Sequence, residues 1–167
     1  MKSVLFVCTG NTCRSPMAAA LLQHYAKEAG LKVRAASVGL AAFPGDTASE
    51  KAIEAMRELG VDLTSHRSRR FHPAMADEFD VILVMTESHK RQLLQMAPEL
   101  AGRVFLLQDY SHAVQSGQEA GSREEKVYDI ADPFGQSLEV YRQVRDELAE
   151  AIRAIVTAWQ KEEEVQK

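Results

Sequence analysis

VLFVCTGNTCRSPMAAALL, residues 4–22, sets four apolar residues, a thiol, a short polar loop, an arginine and an apolar run end to end. Val4 to Val7 reads as a short strand buried on both faces, because it has no polar alternation and stops at a polar turn. Ser15 and Pro16 read as a helix start, with the serine as N-cap and the proline at the first helical position. Met17, Ala20, Leu21, His24 and Tyr25 follow at helical spacing up to Gly30. The loop between strand and helix is therefore a strand-to-helix turn. Gly10 and Asn11 tolerate left-handed backbone, so successive amides can turn inward beside the positive end of the helix, which suits an oxyanion. Cys8 ends the strand and Arg14 follows six residues later. A free thiol has a pKa of about 8.5, and an arginine with a helix N-terminus beside it favours the thiolate, so an ionised Cys8 near neutrality is expected.

Working outward, the rest of the chain repeats the alternation of strand and helix. Val33 to Val38 is a second strand candidate, and Thr47 with Glu50 forms a capping-box pattern for a helix that Gly60 should close. DVILVM, Asp80 to Met85, is the clearest buried strand, and Thr86 opens the next helix. Arg103 to Leu107 is a fourth strand. Residues 108–136, with Gly117, Gly121, Pro133 and Gly135, have no sustained period and read as loop. Tyr141, Val144, Leu148, Ile152, Ile155 and Trp159 then form one core-facing helical stripe. The pattern implies a single domain over residues 1–167, an α/β fold with a small doubly wound, four-stranded parallel sheet, flavodoxin-like, covered by helices on both faces. Its site is expected at the carboxyl ends of the strands.

Composition narrows the function. A formal charge of -4 lacks the basic footprint of a nucleic-acid binder. No stretch approaches the roughly 20 apolar residues of a membrane span, and no secretory leader pattern opens the chain, so a cytoplasmic protein is expected. Cys8 and Cys13 are the only cysteines, which excludes a disulfide framework or zinc ribbon. His24, His72, His89 and His112 show no metal-ligand spacing and read as surface or core residues. No metal and no cofactor are expected. An Asp-Pro at Asp132 is by itself only a turn, and His66 is by itself a packed histidine or part of the basic run with Arg67, Arg69 and Arg70.

CTGNTCRSP resembles the phosphate-binding loop of the low-molecular-weight protein phosphatases. The similarity continues through SVG at Ser37 to Gly39, HRSRR at His66 to Arg70, VILVMTESH, and DPFGQSLEVY at Asp132 to Tyr141. The resemblance implies Cys8 as nucleophile, Arg14 as clamp on the phosphate and Ser15 as the hydroxyl bonded to the Cys8 sulfur. Thr9, Gly10, Asn11, Thr12 and Cys13 would complete the loop. Asn11 would hold its shape, supported by Ser37 and His66, and Asp132 would be the general acid and then the base for water. Cys13, in the same loop, would be a redox partner for Cys8.

Three residues bear on substrate: Thr12, Phe43 and Phe134. Tyrosine phosphatases of this family tend to carry a bulky apolar residue where this chain has Thr12, and DPY where it has DPF. CTGNTCRS resembles instead the bacterial protein-arginine phosphatases. Thr12 leaves room for a planar guanidinium and supplies a hydroxyl near the scissile bond, whereas Phe134 can stack on either substrate. Arginine-phosphorylated proteins are the expected substrates, with tyrosine-phosphorylated proteins the alternative and no nucleic-acid or membrane partner; a monomer is expected. An arsenate reductase on this scaffold would need two further cysteines downstream, and none follows Cys13. A non-catalytic phosphate-binding module would lack the thiol or the acid, and both are present.

Overall fold

The computed structural model describes residues 1–120 and 129–167. Four parallel strands, β1 (Lys2–Cys8), β2 (Val33–Gly39), β3 (Val81–Val84) and β4 (Val104–Leu106), form one sheet in the order β2-β1-β3-β4. Helices α1 (Arg14–Glu28), α2 (Glu50–Arg57), α3 (Glu87–Met96), α4 (Leu107–Ser116) and α5 (Leu138–Val165) cover it. In register, Val4 pairs with Ala35 on β2 and with Val81 on β3, and Ile82 pairs with Val104.

The unbroken apolar reading of VLFV follows from burial on both sides. Val4, Phe6 and Cys8 point into a layer with Met17, Leu21 and Leu22 of α1, Met56 of α2, and Leu148, Ile152 and Trp159 of α5. Leu5 and Val7 point the other way, into a layer with Ile82, Val84, Leu93 of α3, Phe71 and Phe79. The period-2 geometry of a strand sends alternate side chains to opposite faces, and here both faces are dry. The predicted stripe on α5 is buried at all six positions, from Tyr141 to Trp159.

Local boundaries differ from the sequence expectation where side chains have other partners. Ser15 does not cap α1; the helix begins at Arg14 with Cys13 in the cap position and no side-chain cap. The Ser15 hydroxyl is used instead against Cys8. The cap of α2 is Ser49, whose Oγ accepts from Ala52 N at 3.3 Å, while Thr47 pairs with Arg67 in a lone antiparallel bridge. Helix α2 ends at Arg57, and Gly60 follows at φ 75°. Arg103 and Leu107 fall outside β4.

Part of the stretch expected to be loop is helix α4. Its buried positions are Leu107, Ser111 and Ala113, with Tyr110 and Val114 partly buried beside them, an apolar stripe of two turns shared with small residues, and Ser111 Oγ donates to Ala151 O of α5 at 3.0 Å. Gly117, at φ 70°, closes it. Gly121 lies outside the described residues.

The end of β2 sets the spacing of the opening loop. Leu40 N donates to Cys8 O and Ala41 N to Thr9 O, both at 2.9 Å. A Cβ at Gly39 would stand 2.5 Å from Thr9 O and 2.9 Å from Asn11 N, so only glycine lets the two backbones approach. Gly39→Ala is expected to lower the melting temperature by on the order of 5 °C, the size of an overpacking penalty in a chain of this length. Gly102→Ala, where an added Cβ meets nothing within 4 Å, should melt with the wild type. Thermal unfolding followed by circular dichroism compares them.

Candidate active site

The carboxyl ends of β1 and β3 meet at one place. There Cys8, the last residue of β1, is buried with its Sγ 2.9 Å from Ser15 Oγ and 3.3 Å from Asn11 N, which donates to it. Asn11 is buried and adopts the left-handed backbone at φ 56°, a conformation in which asparagine is among the few tolerated side chains. Its side-chain amide donates to Ser15 Oγ at 2.8 Å and to Ser37 Oγ at 2.9 Å, and its Oδ1 accepts from Arg69 N at 2.8 Å. Its carbonyl accepts from His66 Nε2 at 2.7 Å. A carbonyl only accepts, so His66 carries its proton on Nε2.

Because Asn11 Nδ2 donates to Ser15 Oγ, the serine's own hydrogen is free for another acceptor, and Cys8 Sγ is nearer than Val38 O, at 2.9 against 3.4 Å. That hydrogen bond, Asn11 N–H and the Arg14 charge all favour the thiolate. Burial is larger and pushes the thiol above its ordinary value. The expectation of an ionised sulfur near neutrality is therefore reversed in direction; it counted the arginine and the helix end but not the desolvation of a fully enclosed sulfur.

Arg14 is buried at the start of α1. One guanidinium nitrogen donates to Ile130 O at 2.8 Å and the other lies 3.6 Å from Asp132 Oδ2. The Asp132 side chain is half exposed, and its Oδ1 accepts from Phe134 N at 3.1 Å. The loop carrying it is tied to the sheet, since Ile130 N donates to Met85 O at 2.9 Å just past β3. Phe134 and Phe43 are both exposed. Thr12 is half-buried, and the contact its hydroxyl makes is with Cys13 Sγ at 3.7 Å. Cys13 is a free, buried thiol, as is Cys8, and it lies 3.4 Å from Ser49 Oγ and 3.3 Å from Tyr141 OH.

Two residues of this site were read from the sequence as ordinary structure. Tyr141 belongs to the core stripe of α5, yet its hydroxyl bonds Cys13 and Ser49, and burial with the Cys13 contact pushes its pKa up to about 12. A buried tyrosine needs a partner for its hydroxyl, and that is the signal the stripe concealed. His89 of α3 is buried with Nε2 2.8 Å from Thr9 Oγ1. Its position three residues after Thr86, at the carboxyl end of a central strand, was the available clue. Burial and then the Arg14 charge hold its pKa down to about 4, against the pull of Asp132 and Asp129.

Residues 3–166 match the family described as low molecular weight phosphotyrosine protein phosphatase. The chain belongs to that family. It is 36% identical over 162 residues to a protein-arginine-phosphatase of Bacillus subtilis (strain 168), covering 95% of this chain and 97% of that one. It is 34% identical over 142 residues to the low molecular weight protein-tyrosine-phosphatase Wzb of Escherichia coli (strain K12), covering 85% and 84% of the two chains. A solved structure of YwlE arginine phosphatase, a cysteine-to-serine mutant with phosphorylated active site serine, superposes with a TM-score of 0.83 at 35% identity, covering 93% of each chain. As a member of this family the chain is a cysteine-based phosphatase. Among the described residues no helix is long and apolar enough to cross a membrane.

The depressed histidines make acid stability of this phosphatase predictable. In the unfolded chain His89 takes a proton near its ordinary 6.5, whereas in the fold it does so only near 4. Between those values the unfolded state binds more protons, so stability falls as the pH is lowered through that window. His66 is shifted in the same direction, chiefly by burial. Thermal melts at pH 7 and pH 5 should show the wild type losing melting temperature, and His89→Gln, which cannot titrate, losing less.

Proposed function

We propose that this phosphatase hydrolyses phosphoarginine in proteins, without a metal, through a phosphocysteine intermediate. The observation that carries the mechanism is the buried Cys8 sulfur bonded by Ser15 and Asn11 beside an Arg14 that leans on Asp132. Arg14 and the loop amides would bind the equatorial phosphoryl oxygens and offset the charge that grows on them. Cys8 passes its proton to an oxygen of the bound phosphoryl dianion and its Sγ attacks phosphorus, forming the P–S bond as the P–N bond breaks, while Asp132 gives its own proton to the departing guanidine nitrogen; the thiol proton returns to Cys8 as phosphate leaves. The Asp132 carboxylate then takes a proton from water, whose oxygen attacks phosphorus, and the P–S bond breaks to release phosphate and restore Cys8. Ser15 stabilises the sulfur as it leaves in that second step. The phosphorylated serine in the YwlE mutant structure supports phosphoryl transfer to the side chain at the nucleophile position of a relative.

The choice of phosphoarginine rests on Thr12 and on the similarity to an arginine phosphatase. Among the described residues the Thr12 hydroxyl makes a long contact to Cys13 Sγ, which leaves it available to a substrate N–H or to the attacking water. Phosphotyrosine is the second reading, favoured by the similarity to Wzb.

Cys8→Ser should bind phosphate yet lose turnover. Asp132→Asn should lower kcat by roughly 10² to 10⁴ on poor leaving groups and remove one limb of the pH profile, the scale of a lost general acid. Residual activity near wild type in Cys8→Ser, or an unchanged pH profile in Asp132→Asn, would remove those roles. Selectivity is tested separately with phosphoarginine and phosphotyrosine peptides side by side. Thr12→Ile deletes the hydroxyl and adds bulk, so kcat/KM for phosphoarginine should fall far more than for phosphotyrosine, while Thr12→Ser stays on the arginine side. A wild type that prefers phosphotyrosine establishes the second reading instead.

A further inference from the structure

His89 is a buried titratable side chain that the mechanism does not use, and a nitrogen of its ring has no partner among the described residues. His89 lies in the first turn of α3, where its own amide donates to the Thr86 cap at 3.1 Å. His89 is 4% exposed, and its Nδ1 is fully buried with no hydrogen-bond partner among the described residues. An apolar side chain would occupy this position without leaving a buried nitrogen unpaired. Among the described residues the ring bonds one side chain, Thr9, the first residue after Cys8, across the gap between the ends of β3 and β1.

The unpaired nitrogen fixes the tautomer. If Nδ1 carried the hydrogen, a buried N–H would have no acceptor. With the hydrogen on Nε2, the ring donates to Thr9 Oγ1 and only a lone pair is left unmatched, the milder of the two deficits. Thr9 Oγ1 then accepts from His89, and its own hydrogen faces elsewhere. Thr9 is also held through its carbonyl, which accepts from Ala41 N at 2.9 Å. The residue after the nucleophile is thus clamped from both sides, by the turn after β2 and by the start of α3.

We propose that His89 is a positioning residue of the phosphate loop, which fixes Thr9 through an Nε2–H to Oγ1 hydrogen bond and so sets where the first loop amides meet a bound phosphoryl group. It is not a catalytic residue, since the one nitrogen within reach of the loop is committed to Thr9 and the other is buried away from it. The inference rests on the reading of the Cys8 loop as the phosphoryl site, but not on the choice of phosphoarginine.

The experiment uses p-nitrophenyl phosphate as substrate and inorganic phosphate as competitive inhibitor, with neither containing a guanidinium. His89→Leu and Thr9→Val should each lower kcat/KM by roughly 5- to 30-fold, the effect of one lost hydrogen bond with its partner left behind, and weaken phosphate inhibition by a similar factor. His89→Gln, whose amide N–H can replace Nε2–H, and Thr9→Ser should stay within about threefold of wild type. The His89→Leu/Thr9→Val double variant should match either single variant, because both remove the same bond. Losses that multiply in the double variant, or a Gln variant that falls as far as the Leu variant, overturn the proposal. If His89→Leu fails to fold, the exposed Thr9 decides it: wild-type turnover and phosphate inhibition in Thr9→Val are equally fatal. Preference for phosphotyrosine over phosphoarginine peptides in the wild type would defeat the substrate reading and leave these outcomes unaffected.

Discussion

The left-handed backbone of Asn11 is the constraint on which the loop depends. A non-glycine residue in that region costs on the order of 1 kcal/mol or more unless its surroundings hold it there. Here every polar group of the residue is engaged: its amide with Cys8, its carbonyl with His66, its side-chain oxygen with Arg69 N, and its side-chain nitrogen with Ser15 and Ser37. These partners come from β1, α1, β2 and the segment after α2. The curled loop is therefore the point at which separate elements are locked together, and the sulfur sits at its centre.

The parallel sheet makes that convergence possible. Four parallel strands all point their carboxyl ends the same way, so the loops leaving β1, β2 and β3 are neighbours whatever their separation in sequence. The loop after β1 brings Cys8 and Arg14, β2 brings Ser37 and the close approach at Gly39, and β3 leads to Thr86 and His89. Met85, just past β3, also holds Ile130, whose carbonyl receives Arg14. Arg14 thereby joins the Cys8 loop to the segment carrying Asp132.

What could be read from the residues follows from how far each signal reaches. Local signals carried the strands, because β1 and β3 are dry on both faces and show unbroken apolar runs, and they carried α5, whose stripe spans six large residues. Helix α4 was hidden because its apolar stripe, Leu107, Tyr110 and Val114, runs only two turns and shares its face with serine and alanine. Caps were misplaced where a hydroxyl had a stronger partner: Ser15 looked like a cap and serves Cys8, so Cys13 stands at the cap position without a side-chain bond. His89 and Tyr141 stayed invisible for the opposite reason. Their partners, Thr9 and Cys13, lie 80 and 128 residues away in sequence, and no spacing rule links residues that only the sheet brings together.

The same lock that shapes the loop also tunes the sulfur. Burial raises the cost of a thiolate at Cys8, and the groups that oppose it are Ser15, Arg14 and Asn11 N–H. Each is placed by the Asn11 knot or by the helix that starts beside it. A looser Asn11 would lose not one but several of these groups at once: its own amide would turn away, and the Ser15 hydroxyl, no longer receiving Asn11 Nδ2, would be free to rotate toward Val38 O. The thiol would then feel burial without its compensation and rise further. Loop shape and the ionisation of Cys8 are in this way one property, which is why Asn11 stands at the centre of the candidate site.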